Sequence, residues 1–234
     1  MLVKTGCGGF PVGRERYFKA LGAVEIESTF FNPPKAATAQ KWKAEAPAGF
    51  EFSLRASSLI THSCGNIRFD KISQKIGEKR KPFCGHFKET LEVESAWEAT
   101  RNTALALGAR FVVFESPESF YPDSNHLKDL YRFFKEIRRE NLACVWQPSK
   151  GWEEKMVAKV CGDLQLIHAV DPLTGVSQRG AVRYFRLRGP KAGSYGDAEL
   201  QEISAQCREK TSYVFFRHRA AWFDARRFAA LGNG

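Results

Sequence analysis

Eight short β-prone runs recur along the chain, most of them separated by a segment of helical period. They lie at 2–7 (LVKTGC), 23–30 (AVEIESTF), 50–56 (FEFSLRA), 110–116 (RFVVFES), 142–147 (LACVWQ), 164–170 (LQLIHAV), 182–188 (VRYFRLR) and 212–218 (SYVFFRH). Each is rich in β-branched, aromatic or other apolar residues. Asp123 can cap a helix that places Leu127, Leu130, Tyr131, Phe134 and Ile137 on one face, and Val93, Trp97, Ala104 and Leu107 share a face that ends at Gly108. Shorter helices fit at 14–21, 35–46, 152–160, 197–207 and 223–231. Strands alternating with helices predict an α/β fold, a TIM-like (β/α)8 barrel, with an open doubly wound sheet as the alternative. The connection from Asp171 to Ala181 is too short for a regular helix, which leaves one outer helix missing. No shift in composition divides the 234 residues, so a single domain over 1–234 is expected.

A barrel gives meaning to the pattern within each run. Residues facing the outer helices should be apolar, and the alternate set points inward. Val24, Ile26 and Ser28 then face out, while Glu25 and Glu27 face in. By the same alternation Glu51, Ser53 and Arg55 point inward from the third run, Tyr184, Arg186 and Arg188 from the seventh, and Arg217 from the eighth. Unpaired charges there would cost several kcal/mol each, roughly, so the lumen is expected to hold a charged network. Glu25 and Glu51 lie early in their runs and suit a purely structural pairing as well as a functional one. Glu27, Arg55, Glu115, Gln147, His168, Asp171, Arg188, Arg217 and His218 lie at or past strand ends, where barrel sites form.

The formal charge is +10 and the pI about 9.4. From Arg179 to Lys191 there are five cations and no acid, and the segment from Arg68 to Lys88 is also cation-rich. Such a balance suits a phosphate-bearing small molecule or nucleic acid; a merely solvated basic surface is the alternative. No run of 18 apolar residues occurs, and no cationic stretch leads into an apolar one at the N-terminus, so a cytoplasmic protein without membrane association is expected. The six cysteines are scattered without a C-x-x-C pair, which favours reduced thiols over a zinc site.

Several stretches together, VEIESTFF (24–31), ITH (60–62), ESPESF (115–120), LIHAVDP (166–172), YFRLRG (184–189) and DARRF (224–228), resemble in order the YecE-like proteins, domain-of-unknown-function family 72. GCGGF at 6–10 and VWQPSKGW at 145–152 fit as well, so the resemblance spans nearly the whole chain. It implies a TIM-barrel-like fold of the group that includes endonuclease IV-like and xylose isomerase-like barrels, and no activity. It also marks Gly6, Glu25, Ser28, Thr29, Thr61, His62, Pro117, Phe120, Pro148, Trp152, His168, Asp171, Pro172, Arg186 and Gly189 as matches to the family pattern. Against that pattern this chain is a divergent member. Phe10 stands for Trp, Glu27 for Asn or Gln, and Phe31 for Tyr. Gln147 and Ser149 take the places of Glu and Arg in a W-E-P-R-G-like motif. Arg188 takes the place of His, and Arg217 with His218 the place of an Asn pair. Gln147 and Arg188 remove groups able to hold a metal, while the added cations suit phosphate or carboxylate.

His62 opens a long connection over about 57–91 that carries Arg68, Lys71, Lys75, Lys79, Arg80 and Lys81, a candidate basic lid over the mouth, with partial disorder as the alternative. His168 and Asp171 supply either an imidazole and a carboxylate at one strand end or a packed histidine beside a turn-capping Asp. The glycines of GCGGF read as turn glycines before an anion cradle, and His86 and His126 as surface residues. The first expectation is a barrel that binds an anion through Arg55, Gln147, Arg186, Arg188, Arg217 and His218, with no cofactor. The alternatives are a hydrolase or phosphodiesterase using Glu27, His62, Glu115, His168 and Asp171, by acid–base chemistry or around a divalent metal, and a non-catalytic scaffold.

Overall fold

The β-prone runs become the parallel strands β1 (Val3–Gly8), β2 (Ala23–Ile26), β3 (Glu51–Arg55), β4 (Phe111–Glu115), β5 (Ala143–Gln147), β6 (Ile167–Val170), β7 (Arg183–Leu187) and β8 (Ser212–Phe216). They pair in chain order and close, β8 returning to β1 through Val3 opposite Ser212 and Cys7 opposite Phe216. The computed structural model describes residues 2–191 and 193–231. Around the barrel run α1 (Arg14–Phe18), α2 (Ala36–Glu45), α3 (Ser58–Thr61), α4 (Leu91–Leu107), α5 (Ser124–Glu136), α6 (Glu154–Asp163), α7 (Asp197–Gln206) and α8 (Ala221–Leu231). The residues between β6 and β7, all of them described, form turns and no helix, as the short connection implied. No helix among the described residues is long and apolar enough to cross a membrane.

The two longest predicted helices form for the reasons their sequences give. Thr90 caps α4, its hydroxyl accepting from the Val93 N–H, and Gly108 ends it in the left-handed conformation at φ +62°. The face of α4 buries Val93, Trp97, Ala104 and Leu107. Asp123 accepts from the N–H groups of Asn125 and His126 to start α5. That helix buries Phe133 beside Leu130 and Phe134, while Leu127, Tyr131 and Ile137 pack from its margin. Loss of either cap would cost about 1 kcal/mol.

Strand alternation divides the interior in two. Val24, Ile26, Phe52, Leu54, Phe185 and Leu187 face the helices within one large apolar cluster. Ala23, Phe111, Val113, Val145, Tyr184 and Phe215 belong to a second cluster enclosed by the barrel. Two expectations change here. β2 stops at Ile26 and a 3-10 turn follows over Ser28–Phe30, held by the Thr29 hydroxyl donating to the carbonyls of Ile26 and Arg55, so Ser28 is exposed on a turn and does not continue the outward face. Gly6 and Gly8 lie inside β1 and are not turn glycines.

The connection after β3 is laid down in short helical turns with Ile67, Ile72, Cys84 and Phe87 buried. Asn32, from the loop after β2, donates to the Lys71 carbonyl at 2.6 Å and accepts from the Ser73 N–H at 2.7 Å. Asn66 and His86 both reach Ser119 in the loop after β4. The segment thus runs along the rim at the C-terminal ends of the strands, between two βα loops.

Candidate functional site

Above the enclosed apolar cluster, inward ions from five strands or strand ends meet, with neutral Gln147 joining from a sixth. Arg186 of β7 is fully buried, and its Nη2 donates to Glu25 Oε1 at 2.7 Å while its Nε reaches both Glu25 oxygens at 3.1 Å. Its Nη1 donates to Glu115 Oε2 at 2.8 Å and also to Gln147 Oε1. Tyr184 donates to Glu25 Oε2 at 2.9 Å, so the Ser53 hydroxyl in contact with the Tyr184 oxygen is the donor of that pair. Arg217, just past β8, donates to both oxygens of Glu27 and lies 3.5 Å from Glu25 and 3.4 Å from Glu115. Arg55 pairs with Glu115 at 3.2 Å and Glu27 at 3.5 Å, its guanidinium 3.5 Å from the centre of the Phe30 ring. Arg188 closes the set from the rim, donating to Glu115 Oε1 at 3.1 Å.

Four guanidinium groups therefore surround Glu115. Burial alone would raise its carboxyl, but Arg186, Arg55 and Arg217 outweigh burial and hold it well below its ordinary 4.5. The same opposition to burial holds Glu25 down, chiefly through Arg186, and holds Arg186 up, chiefly through Glu25 and Glu115. Arg55 goes the other way: burial, reinforced by repulsion from Arg186 and Arg217, lowers it despite Glu115 and Glu27. Its Nε is buried without a protein partner. Neither Glu25 nor Glu115 is suited to carry a proton at neutral pH, which is what a general acid must do. Among the described residues no group of three or more His, Cys, Asp or Glu side chains is arranged to hold a metal ion.

The inward set anticipated from sequence is thus brought together, with Glu27, Arg55, Glu115, Gln147, Arg186, Arg188 and Arg217 in one network. His62 sits at its edge, against Phe30, with its Nδ1 2.8 Å from the Thr61 hydroxyl; burial and Arg55 push its imidazole down to about 4. Asp171 reaches the mouth beyond β6 but turns its Oδ1 to the Leu173 N–H, the turn-capping alternative; burial raises its carboxyl, while backbone N–H groups of Leu173 and Arg188 oppose this.

His168 and His218 do not join them, for a reason of parity. β6 turns Ile167 and Ala169 inward, so His168 faces out under the β6–β7 connection, where its Nδ1 accepts from the Gln178 N–H and burial lowers it to about 4. His218 follows inward Arg217 and so points to α8, 2.9 Å from Asp224 and against Tyr195. The basic stretch 179–191 is also not one patch. Arg183 starts β7 and pairs with Glu209 at the opposite end of the barrel from Arg188. Of the cations on the rim connection, Arg68 pairs with Asp70, Arg80 with Glu92 and Lys81 with Glu78.

Sequence reasoning missed Gly8. A Cβ there would lie 3.0 Å from Glu27 Oε1 and 3.2 Å from Arg217 Cγ, so the glycine makes room for that ion pair. The inward parity of β1, read from apolar Cys7 facing out, was the available signal. His86 and His126 were misplaced too: they pack on Phe120 and bond to each other, because the rim connection and the loop before α5 close over them.

A family model described as "Protein of unknown function DUF72" matches residues 13–233. A DUF72 family protein from Enterococcus faecalis V583 superposes with a TM-score of 0.74 at 15% identity, over 100% of this chain and 98% of that one. One from Thermotoga maritima MSB8 gives 0.65 at 15% identity, with both chains covered fully. Endonuclease IV from Thermus thermophilus gives 0.56 at 12% identity, over 99% and 100% of the two chains. At these identities the superpositions establish a shared fold. The comparison with curated proteins found no match.

Proposed function

Because the chain belongs to the DUF72 family, whose description carries no activity, we propose a function from the site alone: the barrel mouth binds a small anionic ligand, a carboxylate or a phosphate monoester. The observation that carries this reading is Arg188. It is the one guanidinium of the network that is mostly exposed, at 63%, while Arg55 and Arg217 behind it are 14% and 11% exposed and fixed by Glu27 and Glu115. A ligand oxyanion can take over the Arg188 contact with Glu115 and meet guanidinium groups already held in place, so little orientation is lost on binding.

With Asp171 counted beside Glu25, Glu27 and Glu115, the four arginines meet four carboxylates. Recognition then comes from placed N–H donors more than from excess charge, which suits a small ligand. Nucleic acid is less well served, since the cations of 179–191 are split between the two ends of the barrel and three of the six rim cations at 68–81 are already paired with nearby carboxylates.

Titration calorimetry with inorganic phosphate and with succinate, at low and moderate salt, tests the reading. One of the two should bind, and Arg188→Gln should weaken it by roughly 10-fold or more, the loss of one hydrogen bond between charged groups. Equal affinity in the folded Arg188→Gln protein, or no binding of either anion, would overturn it.

A further inference from the structure

Outside the lumen, three side chains the anion site does not use, His126, His86 and Ser119, stand in a hydrogen-bonded line, with the Asp123 carboxylate against its far end. Asp123 Oδ2 is 2.8 Å from His126 Nδ1, His126 Nε2 is 3.2 Å from His86 Nδ1, and His86 Nε2 is 3.0 Å from Ser119 Oγ. The proton positions follow from the ends inward. His126 Nδ1 also faces the Tyr121 carbonyl at 2.9 Å, and both that carbonyl and the Asp123 carboxylate can only accept. His126 Nδ1 therefore carries hydrogen, and in the neutral ring Nε2 accepts. His86 Nδ1 must then donate to it, which leaves His86 Nε2 as the acceptor of the Ser119 hydroxyl. The line is a hydroxyl, a base, and a second imidazole that orients the base and is itself held by the Tyr121 carbonyl with the Asp123 carboxylate alongside.

The backbone holds His86 there against its preference. Gly85, His86 and Phe87 have φ of +80°, +54° and +56°, three consecutive left-handed residues of which two are not glycine. The segment is fixed by the Gly85 N–H donating to the Leu59 carbonyl at 2.7 Å and the Phe87 N–H to the Ile60 carbonyl at 2.8 Å. A Cβ at Gly85 would overlap the His62 carbonyl, so the turn leaves no alternative there. Strain of this kind persists only where the surroundings over-determine it.

We propose that Ser119 is a nucleophile activated by His86, with His126 and Asp123 as positioning residues, and that the site accepts an acyl group from a carboxylic ester. Ser119 Oγ attacks the carbonyl carbon as its proton passes to His86 Nε2. Collapse expels the alcohol, which takes that proton, and the acyl group remains on Oγ until water, deprotonated by the same nitrogen, releases the acid. Asn66 Nδ2 donates to Oγ at 3.1 Å and so fixes the position of the hydroxyl. Burial, with repulsion from His126 and Lys88, lowers the His86 imidazole to about 4 against the opposite pull of Asp123, so the base is free at neutral pH. Ser119 is half-buried and within reach of solvent. This site is independent of the anion-binding reading, since none of its members belongs to the arginine network.

The intact protein is treated with p-nitrophenyl acetate at pH 7, following nitrophenolate release and mapping the acetylated residue by mass spectrometry. Acetylation of Ser119, absent in Ser119→Ala, is expected. His86→Asn removes the base while Asn tolerates the left-handed backbone, and should slow acetylation by about 100-fold or more. Asp123→Asn keeps the helix cap and should slow it by roughly 10-fold, less than loss of the base itself. No acetylation of Ser119 in the wild-type chain, or an unchanged rate in folded His86→Asn, would overturn the proposal.

Discussion

The two halves of the lumen are built by the same strands and differ completely in chemistry. Toward the N-terminal ends, Phe111, Tyr184, Tyr213 and Phe215 pack ring against ring, with Phe111 and Tyr213 4.6 Å apart. One layer higher, Glu25, Glu115, Gln147 and Arg186 lie two residues beyond Ala23, Val113, Val145 and Tyr184 of the same enclosed cluster. Tyr184 belongs to both layers, its ring in the aromatic set and its hydroxyl on Glu25. Either layer fills space, but they reach stability differently. The aromatic layer needs only burial and fit. The ionic layer must offset the desolvation of every charge by pairing, and well-packed apolar residues of similar size would often be at least as stable. A stability requirement alone would therefore not select charges there, whereas an electrostatic site at the mouth needs them.

Removing one member of each layer gives the largest expected effects. Arg186→Met leaves Glu25 buried without its main cation, only Arg217 remaining at 3.5 Å, and should lower stability by about 3–5 kcal/mol in urea unfolding at pH 7. Phe111→Ala leaves a cavity and should lose a similar amount, about 3–5 kcal/mol. Acid separates them. The folded chain keeps His62, His86 and His168 near 4, below their ordinary 6.5, so every variant retaining them loses stability as pH falls from 6.5 toward 4. Glu25 and Glu115 lie below their ordinary 4.5, so their contribution is present above 4.5 and lost as pH falls through their folded values. In Arg186→Met the main cation opposing burial is gone, the carboxyls move up, and protonation relieves the defect. Its deficit relative to wild type should narrow by more than about 1 kcal/mol between pH 7 and pH 4, while that of Phe111→Ala stays constant. Parallel curves for both variants would show that Arg186 acts by volume and not by charge.

A smaller effect tests how tightly the ionic layer is packed. Gly8→Ala places a methyl against Glu27 and Arg217 and should destabilise the chain by about 1–3 kcal/mol by urea unfolding. Gly13→Ala, with nothing within 4 Å of the added carbon, should change stability by less than about 0.5 kcal/mol. A tolerated Gly8→Ala would mean the Glu27–Arg217 pair has room to move, and the upper layer would be softer than the lower.

Strand periodicity made both layers legible in sequence, because a strand has only two faces and Val24 and Ile26 assign one of them. It served Glu25, Arg55, Arg186 and Arg217 well. It misled where a strand ended sooner than its composition suggested, as at Ser28, and where a residue one position along was grouped with its neighbour, as His218 was with Arg217. His168 was assigned to the mouth by its nearness to a strand end, although Ile167 and Ala169 fix it on the outer face. The line from Asp123 to Ser119 had no local signal at all. Its members come from the rim connection and from the loop and first turn of α5, whose approach is set by tertiary packing on Phe120, and the left-handed turn that presents His86 has no marker beyond Gly85.

The least effect is expected where the ionic layer meets solvent. Arg188 donates to Glu115 as Arg186 does, at 3.1 Å against 2.8 Å, yet it is 63% exposed and Arg186 not at all. Water compensates most of what the pair gains, and Glu115 keeps Arg55, Arg186 and Arg217 when Arg188 is removed. Arg188→Gln should therefore change unfolding stability by no more than about 1 kcal/mol at pH 7, the usual range for an exposed pair. The contrast with Arg186→Met places the boundary between structure and site at the two oxygens of Glu115, one facing the lumen and one the rim. A loss above about 2 kcal/mol in Arg188→Gln would move that boundary outward, making Arg188 a fourth structural arginine and leaving the mouth without a guanidinium free to meet a ligand.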